Sequence, residues 1–356
     1  MGRRAMVGTC LASLVKLAVP LCQQAERECP RRGPGRKPEI PDWVLAVLIM
    51  VAILKRKKTK SAQYCFLKAH RRELLAWLGA DKFPARSTYF DRYRRAWKLF
   101  QVAIEVQGRR AIAEGVADPQ LVAIDKSLIA ARGPLWHRSD RQRQRIPKGL
   151  RGVDRESAWG CSQHDGWVQG YSFEVVVTAT AGGCVFPLVA SADTANAKET
   201  QSCAEKIDAL PTLTEYVLVD SGYDSNELAE SVEHDPEGRR TGRRYLCPEN
   251  RRGSKWKPGD PLPKPRDEHH ARRLARKKFL KSPRGRKLYA RRGLSVEPFN
   301  DWFKNLFELD QRVWHRGLAN NRTQLLAALF AYQLLVRYNH RKRRPNGQVK
   351  WILDSL

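Results

Sequence analysis

Apolar positions recur with helical spacing in the first third of the chain, with strand-like runs in the middle, and with helical spacing again near the end. Residues 43–54 are one unbroken apolar run, read as a buried helix with Asp42 as its N-cap. The run falls short of the roughly 18 residues that a membrane span requires. A second helix is expected over residues 61–78, with Tyr64, Leu67, Leu74, Leu75 and Leu78 on one side and Gly79 closing it. A polar turn at 84–89 then leads, with Ser87 as cap, into a third helix reaching about residue 106 and carrying Arg92, Arg94, Arg95 and Lys98. Helix, tight turn and basic helix form a helix-turn-helix pattern, and a plain helical bundle with a basic face fits as well.

The middle reads differently. Residues 121–124 are a short buried-strand run ending in Asp125, and residues 132–167 read as a long loop. Residues 171–180 and 184–190 are two strands around the turn Ala181-Gly182-Gly183. A helix follows over 195–210, then a strand over 216–219 that ends in Asp220, then a helix over 225–232. Residues 233–290 are rich in Pro, Gly and basic side chains, with one helical stretch near 268–280. Ser295 can cap a further helix on which Val296, Phe299, Phe303, Leu306 and Phe307 share a face. A last apolar helix spans 323–338.

Charge changes the picture. Of 356 residues, 66 are Lys or Arg and 37 Asp or Glu, a net charge of +29. Residues 1–120 carry +14, residues 121–230 carry −4, residues 231–292 carry +14 and the remainder +5. A non-basic centre flanked by basic segments fits a polyanionic partner, and nucleic acid is the commonest. The 8 Cys form no CxxC pair and read as reduced thiols in a cytoplasm, with nucleoid association expected from the charge. The N-terminus loosely mimics a signal peptide, but Lys16 interrupts it.

Asp125 and Asp220 each follow four apolar residues, at the point where a buried strand would run out and where open α/β sheets bind ligands. Either Asp alone could simply cap a turn. Glu297 opens an amphipathic helix, with Lys304 two turns on and on nearly the same face. Three carboxylates from separate elements suit a pair of Mg²⁺ or Mn²⁺ ions, which prefer hard oxygen donors and serve phosphoryl transfer. Trp159 and Trp167 are candidates for stacking on an unpaired base. Arg141, Arg143 and Arg145 are candidates for phosphate contacts. Lys126 either faces the site or points away, and Asp224 or Ser225 caps the helix after the second acid.

These residues carry a resemblance. Leu121 to Lys126, then Val217-Leu218-Val219-Asp220-Ser221-Gly222-Tyr223, then Tyr289-Ala290-Arg291-Arg292-Gly293-Leu294-Ser295-Val296-Glu297 followed by Lys304, resemble bacterial insertion-sequence transposases of the DDE type. Four residues separate Arg292 from Glu297 where the family pattern has three. The resemblance spans about residues 85–340. It implies an α/β chain whose core is an RNase H-like mixed sheet, the first and fourth strands bearing Asp125 and Asp220. An N-terminal helical DNA-binding domain and a basic insertion before the last catalytic helix complete the implied architecture.

The expected division is a flexible basic arm (1–40), a helical DNA-binding domain (41–117), a catalytic core (118–232 and 291–340), a basic insertion (233–290) and a basic tail (341–356). Asp125, Asp220 and Glu297 would hold two metal ions. Tyr289, Arg291, Arg292 and Lys304 would contact DNA, as would Arg92, Arg94 and Arg95 on the N-terminal helices. The implied activity is cleavage at terminal inverted repeats of a transposon and transfer of the 3′-OH to target DNA. The implied partners are double-stranded DNA and, in the synaptic complex, a second copy of the chain, with no membrane. A non-catalytic DNA-binding relic and a structure-selective nuclease on the same fold are the alternatives.

Overall fold

The computed structural model describes residues 2–29, 38–162, 164–250, 264–343 and 349–356, and of residues 2–9 the backbone alone. The Pro/Gly cluster at 30–37, part of the basic insertion (251–263) and part of the tail (344–348) lie outside the described residues.

The chain opens on α1 (Gly2–Glu28), where a flexible arm was expected. Leu11, Leu14, Val15, Ala18, Leu21, Cys22 and Ala25 are buried. Their spacing of three and four is one helical stripe, laid against α2 (Asp42–Leu54). In α2 every residue from Val44 to Leu54 is buried, so this helix needs neighbours on all sides. The single helix expected over 61–78 is two, α3 (Lys60–Ala69) and α4 (Arg71–Leu78), broken at His70, with the Thr59 side chain accepting the capping hydrogen bond from the Ala62 amide. Gly79 ends α4 in the left-handed conformation (φ 61°) that Gly adopts without strain. The third expected helix is also two, α5 (Arg86–Tyr93) and α6 (Trp97–Ala113), and Ser87 is not its cap.

Next come β1 (Leu121–Ala130), α7 (Arg138–Gln142), β2 (Ala158–Ser162), β3 (Gly166–Thr178), β4 (Pro187–Thr194), α8 (Glu199–Ile207), β5 (Tyr216–Leu218), α9 (Asn226–Glu233) and β6 (Arg244–Leu246). The expected long loop at 132–167 therefore contains a short helix and a strand. The strand at Asp125 does not stop there. Residues 126–130 keep pairing antiparallel with β3, which places Asp125 in mid-strand.

The sheet order is β2-β3-β1-β5-β6, with β4 also pairing β3. β1 is antiparallel to β3 and parallel to β5, and β6 extends the parallel side. Long β3 pairs β2 with its first half and β4 with its second. With the short β2 set aside, three antiparallel strands followed by two parallel ones form the RNase H-like mixed sheet. Asp220 then follows the fourth core strand. β6 falls inside the expected insertion, so the sheet recruits its last strand from that basic segment.

The chain closes with α10 (Glu268–Lys281), α11 (Pro283–Gly293), α12 (Val296–Leu306), α13 (Leu318–Arg341) and α14 (Val349–Ser355). The expected tail is thus partly a helix, with Val349, Ile352 and Leu353 buried. α13 packs against α2, α6 and β4. Its buried Gln333 donates to the carbonyls of Ile104 (3.0 Å) and Pro187 (2.8 Å), tying α6 to β4. α12 covers one face of the sheet, its Phe303 ring meeting Phe173 at 5.1 Å. Among the described residues an apolar cluster joins the N-terminal helices to the sheet.

Candidate active site

Directly opposed residues on paired strands share a face of the sheet. Asp125 lies opposite Val175, and Lys126 opposite Glu174, so these two pairs occupy opposite faces. Asp125 faces α12. Lys126 points away from it, donating to the carbonyl of Ala197 at 2.6 Å.

Three elements bring carboxylates to one guanidinium. Arg292, near the end of α11, donates from Nη2 to Asp125 Oδ1 (2.8 Å) and from Nη1 to Glu297 Oε1 (2.7 Å). Its Nη2 is 4.0 Å from Asp220 Oδ2. The segment between Arg292 and Glu297 is the junction where α11 ends at Gly293 and α12 begins at Val296. At this junction the Ser295 hydroxyl donates to the carbonyl of Arg291 at 2.7 Å. The second oxygen of Asp125 accepts from Asn300 Nδ2 at 2.9 Å.

Burial pushes the Asp125 carboxyl up to about 7, Asp220 and Glu297 adding to the effect and Arg292 opposing it. Arg292 is raised above its ordinary value: burial works against its charge, and the surrounding acids outweigh burial. A buried carboxylate beside two others is a place that favours cations.

The loop of the second acid is built for its position. Asp220 Oδ1 accepts from the Gly222 amide at 2.7 Å, starting a single 3-10 turn, Ser221–Tyr223. A Cβ at Gly222 would meet the tip of the flexible Glu199 side chain, which would have to move aside. Tyr223 is fully buried and donates to Glu174 Oε1 at 2.6 Å, on the face opposite Asp125. Lys206 and Ser202 of α8 also bind Glu174. Tyr245 of β6 donates to the carbonyl of Tyr223 at 2.7 Å. The tyrosine after the second acid thus anchors that acid's loop through the sheet.

The remaining expected site residues divide. Tyr289 donates to the carbonyl of Val219 at 3.1 Å, and Arg291 to those of Ala179 (3.2 Å) and Thr180 (3.4 Å), so both side chains are engaged in holding α11 to the sheet. Lys304 pairs with Asp301 at 3.7 Å. Arg92 is 9% exposed, bound to Asp42 and to the carbonyl of Ile40 at 2.6 Å, so it is interior and not a DNA-facing side chain. Arg94 and Arg95 are exposed, Arg95 pairing with Asp91. Arg141 donates to the carbonyl of Ser157 at 2.9 Å, while Arg143 and Arg145 are exposed. Trp159 is half-buried, its indole N–H donating to the carbonyl of Trp136 at 2.9 Å. Trp167 is 55% exposed, with the Arg138 guanidinium 4.4 Å from its ring centre. Asp224 binds Arg273 (2.7 Å) and Lys277 (3.1 Å) of α10, and Ser225 caps α9.

Among the described residues, no three His, Cys, Asp or Glu side chains are grouped so as to enclose an ion. The three acids are disposed about Arg292 instead. Their donor chemistry nevertheless fits a hard cation, because three carboxylates approach a single positive centre. Asn300 adds a buried amide oxygen with no hydrogen-bond partner beside them. Asn300 is the residue that the sequence analysis missed. A polar side chain one turn after Glu297, inside the apolar stripe of α12, was the available signal.

A search of curated proteins finds no match. A solved structure described as a piggyBac transposase synaptic complex with hairpin DNA aligns over 98% of this chain and 78% of that one, with 10% identity and a TM-score of 0.41. A likeness that loose supports no argument. The family model described as "Transposase DDE domain" matches residues 117–334, which include β1 to β6, all three acids and most of α13. Well over half of the chain is covered, and the chain belongs to the DDE-domain transposase family.

Proposed function

We propose that this transposase binds the terminal inverted repeats of a mobile element, cleaves the DNA backbone at their boundary and transfers the exposed 3′-OH to target DNA. The observation that carries the reading is the meeting of Asp125, Asp220 and Glu297, from β1, the end of β5 and α12, around one cationic centre. These three acids would hold two Mg²⁺ or Mn²⁺ ions, whose chemistry is activation of a water or 3′-hydroxyl and stabilisation of the leaving oxygen. The chain's own contribution is placement. Tyr223 and Glu174 hold the Asp220 loop, Tyr289 and Arg291 hold α11, and Arg292 balances the acids.

DNA lies against the basic flanks in this reading, with the N-terminal helices recognising the repeats and the 233–290 segment clamping the element's end. The exposed Arg94, Arg95, Arg143 and Arg145 are the phosphate contacts, and exposed Trp167 is the better placed of the two Trp for stacking on a base. The active complex pairs two element ends through a dimer, and the reaction takes place at the nucleoid. Among the described residues no helix is long and apolar enough to cross a membrane. A DNA-binding relic is the second reading, favoured by the guanidinium standing among the acids.

The test is cleavage of labelled DNA bearing the element's own terminal repeat, with Mg²⁺, Mn²⁺ or EDTA, by wild type and by Asp220→Asn. Metal-dependent nicking at the repeat boundary, lost in the variant, is the expected result. Tight binding without nicking by either protein would replace the proposal with the relic.

A further inference from the structure

We propose that Asn300 is a positioning residue for the metal-binding carboxylate of Asp125, an inference that rests on the function proposed above. Asn300 lies one helical turn after Glu297 on α12, so one helix brings an acid and an amide to the same centre. Its side chain is buried between the apolar positions Phe299 and Phe303, at 5% exposure. Nothing in helix formation or core packing calls for an amide there, and an apolar residue of similar size would fill the volume.

The two oxygens of Asp125 have separate partners. Arg292 takes Oδ1, and Asn300 Nδ2 takes Oδ2 at 2.9 Å. Oδ1, the oxygen turned to Arg292 and so towards the other two acids, is therefore the one that Asn300 does not bind. A carboxylate with both oxygens unrestrained can rotate about its last bond, and a donor on the far oxygen fixes the plane in which the near one is presented. Outer partners of this type orient ligating carboxylates in metal sites.

The other end of the amide makes no hydrogen bond. Asn300 Oδ1 is buried without a hydrogen-bond partner, and so is Arg292 Nε. Other buried amides, Asn321 and Gln333 among them, also leave one end without a partner, so what sets Asn300 apart is the acid that its Nδ2 holds.

The experiment uses the full chain and Mn²⁺ alone, read by calorimetry and by electron paramagnetic resonance, on wild type, Asp125→Asn, Asn300→Leu and Asn300→Ala. The expected result is that wild type binds Mn²⁺ and Asp125→Asn does not. Both Asn300 variants should bind it about 10- to 100-fold more weakly, with duplex DNA binding and cooperative melting retained. Mn²⁺ binding by both Asn300 variants at wild-type strength overturns the inference and leaves the function standing. Loss of Mn²⁺ affinity only in parallel with loss of melting and DNA binding also overturns it, since that is a packing defect. Absence of Mn²⁺ binding by wild type, or undiminished binding by Asp125→Asn, removes the metal reading of the acids and this inference with it.

Discussion

Asp125 is drawn in two directions: burial and two nearby acids favour its proton, and Arg292 favours its charge. The net effect is a folded-state value of about 7 against an ordinary 3.8. From roughly pH 4 to 7 the native state holds a proton that the unfolded chain has released, so stability from this group is complete below that window and is lost as pH rises through it. Asp125→Asn imitates the protonated form. In metal-free protein at pH 8 the variant should melt above wild type by about 2–4 °C, for each kcal/mol of relieved strain, and the gap should narrow towards pH 5. Equal or lower melting at pH 8 would show that the Arg292 ion pair outweighs burial. The candidate acids were legible in sequence because each follows an apolar run or opens an amphipathic helix. The role of Arg292 was not, because its contact with Asp125 joins residues 167 apart in the chain.

At the scale of elements, two structures position the second acid and the helical layer. Glu174 and Lys206 are both almost fully buried, and Tyr223 hangs from the same carboxylate. Lys206→Met would leave Glu174 without its counter-charge. Breaking a buried pair from one side costs about 3–5 kcal/mol, which denaturant unfolding would read, and an unchanged midpoint would show that Tyr223 and Ser202 satisfy Glu174 alone. In the helical layer, α1 covers α2, whose buried run from Val44 to Leu54 has no polar side to turn outward. Removal of residues 1–28 should therefore give an aggregating chain by size-exclusion chromatography. Recovery of the same folded monomer would restore the picture of a flexible arm. The helix was hidden in the sequence because basic residues at its start and Pro20 inside it weaken the local signal, while its buried stripe matters only when a partner lies opposite.

At the scale of the whole molecule, the charge of +29 is the dominant fact. A protein neutralising six to ten phosphates loses about 10³–10⁵ in affinity between 50 and 200 mM salt. Duplex binding measured across that range should fall by at least the lower figure. A shallow dependence would mean that the basic flanks face solvent rather than DNA. The interior is organised independently of this surplus. α13 contacts α2, α6 and β4, and an apolar cluster joins the helical layer to the sheet. Arg92, counted in the sequence among the DNA-facing cations, is instead turned inward to Asp42.

The sequence by itself determined the strand-like centre, the amphipathic α12, the basic flanks and the three acids, since periodicity, local charge and short motifs are properties of neighbours in the chain. Tertiary structure alone decided the rest. It carried β1 past Asp125, because residues 126–130 find ladder partners in β3. It took β6 from the basic segment, because the parallel edge beside β5 accepts another strand. It also chose which cations face solvent and which, like Arg292, close on acids. Each of these outcomes depends on hydrogen bonds or ion pairs between residues far apart in sequence, and such contacts leave no local pattern.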